Sequence, residues 1–224
     1  MATSIAFTPE ALDDRMTGAK PAPAPSEQLA VSLGSERAAL RTGDHAAIMY
    51  WRPEELLDCV VPYLVAGIEA GDKVVYVADD LDTSRVADAL RRTGADVDAL
   101  TAAGRLMLMT AKDAFFGDGR FDCERALDGV RGLAQQAAAD GYRRVRFSVE
   151  MTYLLADVPG IERAVEFEAR ANDEVFAQYP FVCICSFNAT RATSSKVISD
   201  VLATHPILIS AGTPLLNPHY KPWR

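Results

Sequence analysis

Tyr50, Trp51, Asp79, Glu150 and Asn188 share one property: each stands at or just beyond the end of a short apolar run, in HAAIMYW, KVVYVAD, RFSVE or FVCICSFN. In a sheet built from such runs these residues gather at one edge, where open α/β proteins take their ligands. Two aromatic rings, two carboxylates and an amide can wall an apolar compound, pair with an amine or a cation, or orient a polar group. They do not suit a triphosphate.

The turn after the first run sharpens that exclusion. A phosphate-binding loop would read GxxxxGK[ST] there, so that backbone N–H groups and one lysine hold the anion. This chain reads YWRPEELL, which has no Gly, Lys, Ser or Thr and sets Glu54 and Glu55 at a helix start, where phosphate would lie. ATP and GTP are therefore expected not to bind, and no cofactor is expected.

Glu150 follows RVRFSV at a position where general bases and metal ligands occur. It suits a structural role equally, capping the turn at Met151 or pairing with Arg146. Asp79, beside Asp80 and Asp82, has the ordinary acidity of a helix start as its plainer explanation. Glu54 joins the candidate ligand-binding set as an orienting carboxylate, Tyr153 as an aromatic just past Glu150, and His45 as a ring at the head of the first run. Phe115 and Phe116, with Phe121, lie in the long segment AKDAFFGDGRFD. They fit either a lid over an apolar ligand or a plug that pins the segment to the core.

His45, His205, Cys183 and Cys185 include soft metal ligands, and residues i and i+2 of a strand share a face. A buried cysteine more often packs as a small apolar residue, so no metal is expected and the fold should survive chelation. Ser148, Ser186 and the thiols have no base at motif spacing and no GxSxG elbow is present, so the chain is not expected to be an enzyme. A metal-assisted hydrolase using Asp79 and Glu150 is the remaining catalytic alternative.

Positioning such residues requires regular elements. From His45 onward, apolar runs alternate with amphipathic stretches: a helix after Pro53 closed by Gly67 and Gly71, one from Asp82 to Arg92, one from Cys123 to Asp140, PGIERAVEFEARANDEVFAQ, and Ser194 to Leu202. The alternation predicts a three-layer α/β domain, a mostly parallel sheet with helices on both faces, over residues 43–224. Residues 1–28, with KPAPAPSEQ, are expected to be a flexible arm. Residues 29–42, with Leu29, Val31, Leu33 and Leu40, are expected to be a short helical lead-in.

The 224 residues and 49% hydrophobic content are enough for one large core. A net charge of -8, from 23 Lys+Arg against 31 Asp+Glu, leaves no basic surplus for nucleic acid or an anionic membrane. No run reaches the ~20 apolar residues of a membrane span and the first residues lack a signal-peptide plan, so a cytoplasmic location and free thiols are expected.

From His45 to about Tyr220 the chain resembles the MEDS (methanogen/methylotroph, DcmR sensory) domain, itself similar to KaiC- and RecA-like ATPases but without the phosphate loop. The resemblance is carried by HAAIMYWRPEELLDCVVPYLVAGIEAGDKVVYVADD, GRLMLMTAKDAFFGDGRFD, RFSVEMTYLL, FEARAN, FVCICSFN and THPILI, in that order. It implies a KaiC/RecA-like fold with a degenerate nucleotide site and a sensory role toward small organic, hydrocarbon-derived compounds. No output module is expected after NPHYKPWR, so the expected partners are a small organic molecule and a separate regulatory protein such as a kinase, an anti-sigma factor or a transcription regulator. Self-association is a further option. The rival expectation is a protein-interaction scaffold whose degenerate site is filled with side chains, which a closed cleft beside Trp51 and Glu150 would favour.

Overall fold

A computed structural model of the chain describes residues 28–33, 36–210 and 212–223. The arm expected over residues 1–28 lies outside the described residues except for Gln28.

The first strands correct an expectation. In place of the helical lead-in expected over residues 29–42, the described residues there form strands: β1 (Gln28–Leu33) and β2 (Glu36–Arg41) pair antiparallel, with Leu29 opposite Leu40. Leu29, Val31 and Leu33 recur at every second position, which is strand spacing, and only Gly34 and Ser35 separate the two strands, which is a hairpin spacing.

The main sheet is built from β3 (His45–Tyr50), β4 (Lys73–Ala78), β5 (Leu106–Thr110), β6 (Val145–Glu150), β7 (Phe181–Asn188), β8 (Ile207–Ser210) and β9 (Thr213–Leu216). Its order is β5-β4-β6-β7-β3-β8-β9, parallel throughout except for the β8–β9 pair. Every residue of β4 and β6 is buried, as strands covered on both faces require. The antiparallel edge strand β9 was not foreseen from sequence.

Helices α1 (Pro53–Ala70), α2 (Thr83–Arg92) and α3 (Val97–Ala102) pack on one face, against Ala46, Ile48, Val74, Tyr76, Val182 and Ile184. On the other face, α4 (Ala111–Phe115), α5 (Cys123–Ala139), α6 (Ala164–Ala171) and α7 (Ser195–Thr204) meet Val75, Phe147, Val149, Cys183, Cys185 and Phe187. Pro53 starts α1, and Gly71, at φ 78°, ends it in the left-handed conformation. The adjacent strands β4 and β6 send their connections to opposite faces, which opens a crevice at their carboxyl ends. Among the described residues no helix is long and apolar enough to cross a membrane.

Candidate functional site at the carboxyl edge

Asp80, in the loop between β4 and α2, is the hub of this edge. Its Oδ2 accepts from Asn188 Nδ2 at 2.8 Å, Thr152 Oγ1 at 2.9 Å and the Tyr50 hydroxyl at 3.2 Å, and its Oδ1 accepts from Arg191 Nη1 at 3.1 Å. These donors come from the ends of β3, β6 and β7, so one side chain ties the carboxyl edge together.

Glu150 holds that hub in place. It is fully buried; one oxygen accepts from the Tyr76 hydroxyl, and the other from the backbone N–H groups of Asp80 at 2.7 Å and Leu81 at 3.0 Å. Burial pushes its carboxyl above the usual range, and the donated hydrogen bonds oppose that rise. Of the roles open from sequence, the geometry gives the structural one, with other partners. Glu150 caps the loop after β4 instead of the turn at Met151, while Arg146 pairs with Asp72 at 3.0 Å.

Where a phosphate loop would present its amides, the chain supplies its own anion. Glu55 Oε2 accepts from the backbone N–H groups of Trp51 at 2.9 Å and Arg52 at 3.3 Å, and Arg52 Nε donates to Glu55 Oε1 at 2.9 Å. The helix start is thus neutralised from within.

The expected site residues divide into three groups. Tyr50, Glu150 and Asn188 come together around Asp80. Trp51, 60% exposed, and Glu54, exposed and 3.7 Å from Arg85, lie on the rim, and Asp79 is exposed beside Asp80. His45, Phe115, Phe116 and Tyr153 are corrections. His45 begins β3, about 16 Å of extended chain from Tyr50. Phe115 and Phe116 form no lid over a ligand; both are buried with Phe121 and Tyr153, Phe115 stacking on the Tyr153 ring at 4.9 Å. An apolar cluster of that size gains more from core burial than from covering an aqueous cleft. Asp80 follows the β4 run beside Asp79, but a run of acids at a helix start hides which of them turns inward; Thr152 and Arg191, polar residues past the strand ends, were missed.

Beside Trp51 and Glu150 the Asp80 carboxylate is thus hydrogen-bonded to Tyr50, Thr152, Asn188 and Arg191. A cavity of about 380 Å³ lies elsewhere, between α7 and residues 218–221, and none of the expected site residues lines it.

A parallel sheet with two helical layers and a crevice between β4 and β6 defines a KaiC-like fold, and its first strand-to-helix turn, YWRPEELL, lacks the phosphate-loop motif. The comparisons agree. The sequence matches the family model of the MEthanogen/methylotroph, DcmR Sensory domain over residues 44–206, and the chain belongs to that family, which marks a sensory or signalling role. The fold is similar to the KaiC-like protein PH0186 of Pyrococcus horikoshii, with a TM-score of 0.56 and 9% identity over 82% of this chain and 80% of that one. It is also similar to the P. horikoshii protein PH0321, crystallised with an unknown peptide, with a TM-score of 0.56 and 12% identity over 79% of this chain and 84% of that one. No curated protein matches the sequence.

Proposed function

We propose that the chain is a non-catalytic sensory module that relays its state to a separate regulatory protein, with a carboxyl edge closed by its own side chains. The observation that supports this reading is the Asp80 carboxylate, whose donors from three strand ends fill the place a ligand would take. The exposed Trp51 and Arg191 rim, just past the ends of the adjacent strands β3 and β7, is the face offered to the partner, a kinase, an anti-sigma factor or a transcription regulator.

A second reading, a small organic ligand at this edge, is favoured by one feature. The Asp80–Arg191 pair is open on the arginine side, 57% exposed, so an amine or a polar organic compound could displace Arg191. A photo-crosslinking residue at position 51, used in cells, tests the first reading: one discrete protein adduct supports it. Native mass spectrometry tests the second. A small molecule retained by the wild type and lost in Arg191→Ala, without a protein adduct at position 51, would replace the first reading with the second.

A further inference from the structure

Away from the carboxyl edge, on the face covered by α6 and α7, four side chains from four elements converge. His45 from β3, Cys185 from β7, Glu168 from α6 and His205, just past α7, are all buried, and one ligand atom from each lies within 4.8 Å of the other three. His45 Nε2 is 3.2 Å from Cys185 Sγ and 3.7 Å from Glu168 Oε2; His205 Nε2 is 4.0 Å from the same oxygen.

The hydrogen bonds behind these atoms fix which nitrogens are bare. Asn172 Nδ2 faces the carbonyls of Thr204, at 2.8 Å, and of Glu168 and Ala169, at 3.2 Å each. It must therefore be the amide nitrogen, and Asn172 Oδ1 accepts from His45 Nδ1 at 3.1 Å. His205 Nδ1 donates to the Val201 carbonyl at 2.8 Å. Both rings thus carry their proton on Nδ1 and turn an Nε2 lone pair into the cluster. His205 Nε2 is buried with no hydrogen-bond partner among the described residues. Glu168 Oε1 accepts from the Tyr153 hydroxyl, which leaves Oε2 to face the two nitrogens. In a dry core two lone pairs and a carboxylate oxygen facing one another repel unless a metal cation or shared protons stand between them; the Cys185 thiol can serve His45 Nε2, while His205 Nε2 has no such donor.

We infer that His45, Glu168, Cys185 and His205 form a binding site for a divalent transition metal ion with the ligand preference of zinc. Two imidazoles, a thiolate and a carboxylate are ligands zinc takes in tetrahedral geometry, where bond lengths of about 2.0–2.3 Å place ligand atoms about 3.3–3.8 Å apart. The observed separations bracket that range. Two anionic and two neutral ligands balance a dication, so the core holds no net charge. The partners of His45 Nδ1, His205 Nδ1 and Glu168 Oε1 are the outer-shell contacts that orient metal ligands. After Glu168 the α6 helix passes into a π-helical turn at Asn172–Phe176, which places Asn172 behind His45; such turns occur often at functional sites. Binding sends the Cys185 thiol proton, and any proton on Glu168, to solvent, with no change of oxidation state. The inference does not rest on the reading of the carboxyl edge.

The test uses the full chain, unfolded with chelator and reductant, desalted, and refolded with Co²⁺ or Zn²⁺. One ion per chain is expected, with the thiolate charge-transfer and tetrahedral ligand-field absorptions of the cobalt form. Cys185→Ser should abolish the charge-transfer band and His205→Gln should weaken binding at least tenfold, while the paired change Cys59→Ser with Cys123→Ser leaves the spectrum intact. Should the ligand variants fail to refold, the spectrum of that paired variant decides, because its thiols are Cys183 and Cys185 alone. Refolded wild type that takes up neither ion at micromolar concentration, or a charge-transfer band that survives Cys185→Ser, overturns the site.

Discussion

Asn188 Nδ2 donates to Asp80 Oδ2 at 2.8 Å across 108 residues of chain, joining the end of β7 to the loop after β4 with β6 lying between them. The bond supports the proposed closed edge: the Asp80 carboxylate accepts from neighbouring strand ends with lone pairs that could otherwise face a ligand. Asp80→Ala removes the acceptor and strands the Tyr50, Thr152 and Asn188 donors. It should lower unfolding stability by about 2 kcal/mol in urea titration, and Asp80→Asn, which keeps one acceptor oxygen, by about half of that.

Nucleotides meet a filled anion site. Because Glu55 already accepts from the Trp51 and Arg52 amides, ATP and GTP should show no micromolar binding by calorimetry, with or without Mg²⁺. Glu55→Ala frees those amides but adds no lysine and no glycine, so it should remain silent toward nucleotide. Micromolar binding by the wild type that is lost on changing Trp51 or Arg52 would contradict this account of the turn.

The alternation of strands and helices was legible because each fully buried parallel strand is a short apolar run and each covering helix has one apolar face. The pairing of β1 with β2 was not, because the period of two covers only Leu29, Val31 and Leu33, and Leu40 breaks it. At the edge, Tyr50, Glu150 and Asn188 could be found from strand ends alone. The role of Glu150 could not, since its donors include backbone N–H groups, which every residue but proline carries. The buried cluster was half legible: His45 and Cys185 lie on one face of adjacent strands, whereas Glu168 looks like any helix carboxylate until α6 is docked.

Gly67 on α1 lies against the buried Arg146, where a Cβ would come within 2.4 Å of Arg146 Cδ and 2.5 Å of its Nε. That part of the arginine cannot swing aside cheaply, because its guanidinium is held by Asp72 at 3.0 Å and by the Tyr63 carbonyl at 3.3 Å. Gly67→Ala should therefore destabilise the fold by about 1–3 kcal/mol, although alanine is the better helix former. A stability equal to or above wild type in denaturant unfolding would show that α1 shifts freely over the sheet.

Glu150→Gln separates charge from shape at the most buried carboxylate of the edge. Glutamine can still accept from the Asp80 and Leu81 amides through one oxygen, but its NH₂ then faces the Tyr76 hydroxyl, which must turn to accept. Loss of the charge-assisted bonds should cost about 1–3 kcal/mol at neutral pH. The pH dependence has a definite sign. Burial raises the Glu150 pKa in the folded chain above its ordinary value of 4.5, so the native state holds this proton more tightly than the unfolded one. The associated stability is fully present below the unfolded value and is lost as pH rises through the folded one. The wild-type advantage over Glu150→Gln should accordingly be larger at pH 4 than at pH 8, measured as paired urea midpoints. A Glu150→Gln variant as stable as wild type at both pH values would remove Glu150 from the architecture of the edge and return it to the candidates for ligand contact.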